Sequence, residues 1–282
     1  MQQFATPSDT IEEKDGRAVE RRACMAYGIG AHMQWYDAHV HLDFMANARE
    51  VALDAAARGL SLFANTVTPR GYLRTVDLVG DLPNVDVGLG MHPWWIAEAD
   101  LELFDELLPR THWVGEVGLD FSPTRPMHRE QLAAFGHIAD ACAKAGNKTL
   151  SIHSVRAAAS VLDVLEQTGC TSTCRCVFHW FSGSTEDLWR AIRAGCWFSV
   201  NEMQASTRRA KEQLKLIPKE RLLYETDLPP QQEEPFSADK IVESLPRAQD
   251  LVRSIRVADW GEAPFGHFAP IGLFGSLWPK GA

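Results

Sequence analysis

Eight short apolar runs punctuate the chain between residues 35 and 226, and a longer amphipathic stretch follows each of them. The runs lie near 35–40, 60–67, 85–91, 112–118, 149–153, 176–180, 196–200 and 222–226, and they read as strands. The stretches at 46–58, 70–80, 100–108, 127–145, 155–168, 184–194, 203–216 and 237–255 read as helices. Within 127–145, Leu132, Phe135, Ile138, Ala139 and Cys142 recur at helical spacing, and Gly146 supplies the stop. Strict alternation of strand and helix predicts a parallel sheet. Eight such units predict a closed sheet, so the expected fold is α/β, a single-domain (β/α)₈ TIM barrel.

The ends of the chain break this rhythm. Residues 1–32 are polar and charged without periodicity and read as a loose N-terminal extension. The barrel is then expected over 33–256, with Met33 standing two residues before the first strand, and 257–282 read as an irregular tail rich in Gly, Pro and aromatic residues. A length of 282 residues suits one such domain.

The formal net charge of −9 argues against coating of nucleic acid by phosphate neutralisation. It leaves room for an enzyme that grips phosphate locally through metal ions. Six cysteines in a chain this long do not form a disulfide framework, and the Cys170, Cys174 and Cys176 spacing is not that of a zinc ribbon. A reduced loop-and-strand segment is expected there. No run reaches the roughly 18 apolar residues of a membrane span, and no apolar signal core follows the N-terminus, so a cytoplasmic location is expected.

Polar residues that interrupt apolar strands carry the chemistry. In Asp37-Ala-His39-Val-His41-Leu-Asp43, side chains two apart point the same way in an extended chain. His39 and His41 therefore offer a metal clamp, against the alternative of two solvated loop histidines. Glu116 sits inside an apolar strand between Gly115 and Gly118, where a buried carboxylate needs a metal, a proton or a partner such as Arg125. His153 and His179 end consecutive predicted strands, and Asp227 follows the last one, placed to meet strand one across a barrel seam. Each is an ordinary structural residue when taken alone. Together, four His and two carboxylates suit a pair of divalent ions bridged by water. Zn, Mn, Fe or Co match such N/O donors most directly, and Mg is possible with phosphate and water completing its shell.

From about residue 36 to 229 the chain resembles the TatD family of metal-dependent deoxyribonucleases, in the amidohydrolase superfamily. The resemblance rests on YDAHVHLD, GLGMHPWW, VGEVGLD, LSIHSVRA, VFHWFSGS, GCWFSVN and LLYETDLP, in the family's order and spacing. It implies that His39, His41 and Asp227 hold one divalent ion, that Glu116 bridges to a second, and that His153 and His179 complete the second (Mg, Mn or Zn). Asp227 would also orient or deprotonate the attacking water. His92 matches a histidine near the substrate phosphate, and Arg156, Asp43 and Asp120 match positions around the ligands or on the substrate side, against a reading as rim salt bridges.

The resemblance implies cleavage of phosphodiester bonds, with DNA as the substrate. The segments around His153, His179 and Val200 also look like the TatD-type nuclease of Qat anti-phage systems, which implies partners in a defence assembly. The stretch after Asp227 departs from the family pattern, because QQEEPFSADK is short and acidic. Two other readings stay open: a barrel hydrolase for amides, lactones or other esters, and an accessory subunit of a defence or repair assembly. Trp94, Trp95 and Trp180 either stack unpaired bases or pack the barrel mouth.

Overall fold

A computed structural model describes residues 35–256 apart from 126, 233 and 234. The expected extension at 1–32 and tail at 257–282 lie outside the described residues. The eight strands are β1 (Trp35–Val40), β2 (Leu60–Asn65), β3 (Val85–Met91), β4 (Trp113–Asp120), β5 (Thr149–Val155), β6 (Arg175–His179), β7 (Trp197–Val200) and β8 (Leu222–Tyr224). They pair in parallel in the order β1-β2-β3-β4-β5-β6-β7-β8. Helices α1 (Ala48–Ala57), α2 (Pro69–Val79), α3 (Leu101–Leu107), α4 (His128–Ala145) and α5 (Ala158–Thr168) fill the first crossovers. A short α6 (Cys170–Thr173) precedes β6, and α7 (Thr185–Arg193), α8 (Glu202–Ser206), α9 (Arg208–Leu214) and α10 (Asp239–Ile255) complete the ring.

The barrel seam is made by the segment after β8. Asp227 N–H donates to the His39 carbonyl at 2.8 Å, and His41 N–H donates to the Leu228 carbonyl at 2.9 Å. Between them the Asp37 carboxylate accepts Thr226 N–H at 2.9 Å and the Thr226 hydroxyl at 2.6 Å.

Two apolar bodies share the strands. The larger packs the helices onto the outer strand faces, with Phe104, Phe135 and Phe178 among its fully buried side chains. The smaller gathers Tyr36, Ala38, Phe63, Val177 and Leu223, with Trp113 and Trp197 against them. These side chains come from six different strands, so they fill the barrel interior and form the floor under its mouth.

Register shifts explain how polar side chains sit above that floor. The β1–β2 pairing shifts between Asp37 and Val40, and the β4–β5 pairing between Val114 and Val117. Each irregularity re-aims the residues beside it. In β1 the inward positions change from Tyr36 and Ala38 to His39 and His41; in β4 the shift brackets Glu116.

Local chemistry sets the element ends. Thr68 caps α2 through Gly71 N–H, with Pro69 at the first helical position. Ser184 and Asp187 form a reciprocal capping box on α7. The helix expected over 203–216 is two, because Thr207 has an extended backbone and caps α9. The helix expected from 155 begins at Ala158, since Arg156 has φ of 54°. β8 ends at Tyr224, two residues before the expected end of that strand. The five described cysteines are free and buried, and the tight group spans α6 and β6.

Candidate metal centre

All strands run parallel, so their C-terminal ends open on one mouth, where barrel enzymes carry their sites. His39 lies on β1 and His41 one residue past it; Glu116 and Asp120 lie on β4, His153 on β5 and His179 at the end of β6. Gly118 keeps β4 close to β5: its φ is 138°, and a Cβ there would run into the His153 carbonyl oxygen.

Glu116 is the hub, 2 % exposed and faced by five imidazoles. Its two oxygens look at different partners. Oε1 lies 2.6 Å from His153 Nδ1 and 2.8 Å from His179 Nε2. Oε2 lies 3.5 Å from His39 Nε2 and 3.3 Å from His41 Nε2. Asp227 Oδ1 stands over the second pair, 3.7 Å from His39 Nε2 and 3.6 Å from His41 Nε2. All six residues singled out as ligands in the sequence therefore meet at the mouth, in two groups on either side of one carboxylate.

The far side of each imidazole is also placed. Ser151 Oγ meets His39 Nδ1 at 2.7 Å. Asp43 Oδ1 is 3.4 Å from His41 Nδ1, Asp120 Oδ2 is 3.3 Å from His153 Nε2, and Glu225 Oε1 is 3.6 Å from His179 Nδ1. Where the outer contact is a hydrogen bond, between Ser151 and His39 and between Asp120 and His153, it fixes the tautomer that leaves a lone pair facing inward. Glu225 is itself held by Ser199 and by Asn201 Nδ2 at 3.3 Å.

Electrostatics follow from burial against pairing. Burial pushes the Glu116 carboxyl up, but the imidazoles of His92, His179 and His153 overcome it and hold the group well below the usual carboxylate range. Burial lowers His41, His153 and His179, yet their carboxylate partners raise all three above an ordinary histidine. His39 is lowered by burial, and His92 is lowered to about 4 by the same cause.

The donor chemistry fits divalent cations. His39 Nε2 and His41 Nε2 face each other at 3.2 Å, and His179 Nε2 faces His153 Nδ1 at 3.4 Å. Nitrogens at such separations share a proton or a cation, since two lone pairs or two N–H groups would repel. The group His39, His41 and Glu116, and the group His92, Glu116 and His153, each have ligand-capable atoms within 4.8 Å of one another. His92 is set apart by its tautomer. Its Nδ1 accepts Trp94 N–H at 3.1 Å, so its proton sits on Nε2, 3.2 Å from Glu116 Oε1. It is a donor into the site, and His179 is the better match for the second group.

A cavity of about 150 Å³ opens above Glu116, walled by Phe44, Val67, Trp95 and Pro229. Among the described residues no Lys or Arg lines it. His92 and Trp94 do line it, whereas Arg156, expected on the substrate side, is exposed one residue past β5 and does not. Sequence reasoning passed over Ser151, Ser199, Glu225 and Phe44. Ser151 had a signal: it stands two residues before His153 on one strand and so faces the same way.

A parallel barrel that gathers this donor set at its mouth belongs to the metal-dependent hydrolases. The sequence model of the family described as TatD related DNase matches residues 36–256, and the chain is a member of that family. It is similar to the uncharacterized metal-dependent hydrolase YcfH of Escherichia coli K12, with 31 % identity over 207 residues covering 68 % of this chain and 77 % of that protein. A protein of Pantoea vagans named 3'-5' ssDNA/RNA exonuclease TatD is 30 % identical over 148 residues, 50 % of this chain and 56 % of its own. In fold the chain is similar to the crystal structure of YJJV, a TatD homolog from Escherichia coli K12. The TM-score is 0.68 at 22 % identity, covering 82 % of this chain and 92 % of that one.

Proposed function

We propose that this hydrolase cleaves phosphodiester bonds at the ends of DNA strands with two divalent ions, Mg, Mn or Zn. The observation that carries the reading is the placement of Glu116, with His153 and His179 on one oxygen and His39, His41 and Asp227 beside the other. His39, His41 and Asp227 would hold one ion and His153 and His179 the other, with Glu116 placed to serve both. When bound, such ions supply a water of lowered pKa and positive charge for the phosphoryl group.

Asp227, the most exposed carboxylate of the set with a side chain 24 % exposed, takes the proton of the attacking water. His92 directs its Nε2–H at a phosphoryl oxygen. The leaving sugar oxygen takes up a proton, so the products are a phosphate monoester and an alcohol. A cavity of about 150 Å³ admits the phosphodiester and leaves the flanking nucleosides outside it, and Arg156, which does not line the cavity, would meet only those outer parts of the ligand. The name of the Pantoea vagans relative supports nucleic acid as substrate. A cytoplasmic place, and membership of an anti-phage assembly, rest on the sequence alone; co-purification from the native cell tests the assembly.

Chelator-treated protein is expected to regain cleavage of single-stranded DNA and of bis-p-nitrophenyl phosphate on addition of Mg, Mn or Zn. His153→Ala is expected to stay silent under the same conditions. Turnover of lactones or amides in place of phosphodiesters under every metal would overturn the substrate class while leaving the centre intact.

A further inference from the structure

Trp94 stands at the rim of the cavity with 44 % of its surface exposed, the position of a ligand platform. Its contacts assign it other work. The indole Nε1–H donates to Asp120 Oδ2 at 2.6 Å. The same oxygen lies 3.3 Å from His153 Nε2, and His153 turns its Nδ1 on Glu116. Arg125 covers one face of the Trp94 ring, its Cζ 3.9 Å from the centroid, and the backbone N–H of Trp94 is tied to His92. The indole is thus fixed by a cation on its face and by its own backbone.

An imidazole that offers a lone pair through Nδ1 carries its proton on Nε2 and needs an acceptor there. Asp120 is that acceptor. A carboxylate rotates broadly about its last torsion, so one partner does not orient it. Ser122 N–H holds Oδ1 at 2.8 Å, and the Trp94 indole holds Oδ2 beside His153.

We propose that Trp94 is a positioning residue for the second ion: its single indole N–H aligns Asp120, and Asp120 sets the tautomer and aim of His153. The proposal rests on the two-ion reading. It places Trp94 two links away from the ion, with no contact to it, and separates the indole N–H from the bulk of the ring.

Calorimetric titration of the metal-stripped full chain with Zn²⁺ tests it. Trp94→Phe keeps an aromatic ring and loses the donor. It is expected to bind one of two ions about 10- to 100-fold more weakly, with the other ion and the thermal midpoint of the metal-free protein unchanged. Asp120→Asn is expected to lose affinity at the same ion, and the double variant no more than Asp120→Asn alone, because Trp94 acts through Asp120. Two ions bound by Trp94→Phe with wild-type affinity would overturn the brace, as would losses that add in the double variant. A wild-type stoichiometry of one ion per chain would overturn the two-ion reading instead, and the brace is then judged on that ion.

Discussion

The backbone N–H of Asp227 donates to the carbonyl of His39 across 2.8 Å, so the first and last residues of the proposed ligand set are one hydrogen bond apart. The seam that closes the barrel therefore also brings these two residues together. Asp37 supports both, since it accepts His39 N–H at 3.1 Å as well as the two donors of Thr226.

Asp37→Ala strands those buried donors. It is expected to cost about 2–4 kcal/mol in urea denaturation and to weaken metal binding. Burial pushes the Asp37 carboxyl up to about 8. The folded chain therefore keeps a proton that the unfolded chain has released, and this contribution to stability is lost as pH rises towards 8. Asp37→Asn mimics the protonated acid, so its stability should decline less between the unfolded value of 3.8 and about 8. An unchanged slope would refute the assignment.

Metal uptake should release protons. In the metal-free protein the carboxylates hold His41, His153 and His179 above the ordinary histidine range, so the cluster holds more protons at neutral pH than free imidazoles would. A bound cation displaces those protons. Affinity is then expected to rise with pH through the neutral range. Titration in buffers of different ionisation enthalpy counts the protons, and zero release at pH 7 would contradict the argument. The same shifts stabilise the metal-free fold below the unfolded histidine pKa and fade as pH climbs through the folded ones. The depressed Glu116 works oppositely and fails in acid.

His92→Asn separates donor from ligand. Its kcat is expected to fall about 100-fold with metal content unchanged by elemental analysis. Loss of one ion would make His92 a ligand.

Behind the site, on the outer strand face, Phe178 is fully buried next to His179 in sequence and meets Phe181 and Phe198 with ring centroids 5.4 Å and 6.1 Å away. Phe178→Ala is expected to lower unfolding free energy by about 3–5 kcal/mol.

The alternation of apolar and amphipathic runs carried the barrel, because period and length are local properties. His39, Glu116, His153, His179 and Asp227 were legible because polar residues in apolar strands need a partner. Pairing is not local, and this is where reading the chain fell short. Glu225 sits one residue from the motif's threonine, yet only the fold turns it onto His179. The strand shift between Asp37 and Val40 has no signature in composition. The break at Thr207 was a capping signal inside a helical pattern, and the pattern hid it.

No Lys or Arg lines the cavity among its described residues, and the whole chain carries a formal charge of −9. An anion approaching the bare polypeptide is therefore repelled at long range by the net charge, and at the bottom it finds two carboxylates set among imidazoles. Bound divalent cations would place added positive charge there, which favours one order of assembly: metal first, anion second. With no Lys or Arg there to neutralise phosphates, binding of a polyanion would release few of its condensed counterions, so catalytic efficiency should fall only weakly with monovalent salt. On the proposed reading, the supply of divalent metal rather than the encounter with substrate would be the quantity that switches the protein on.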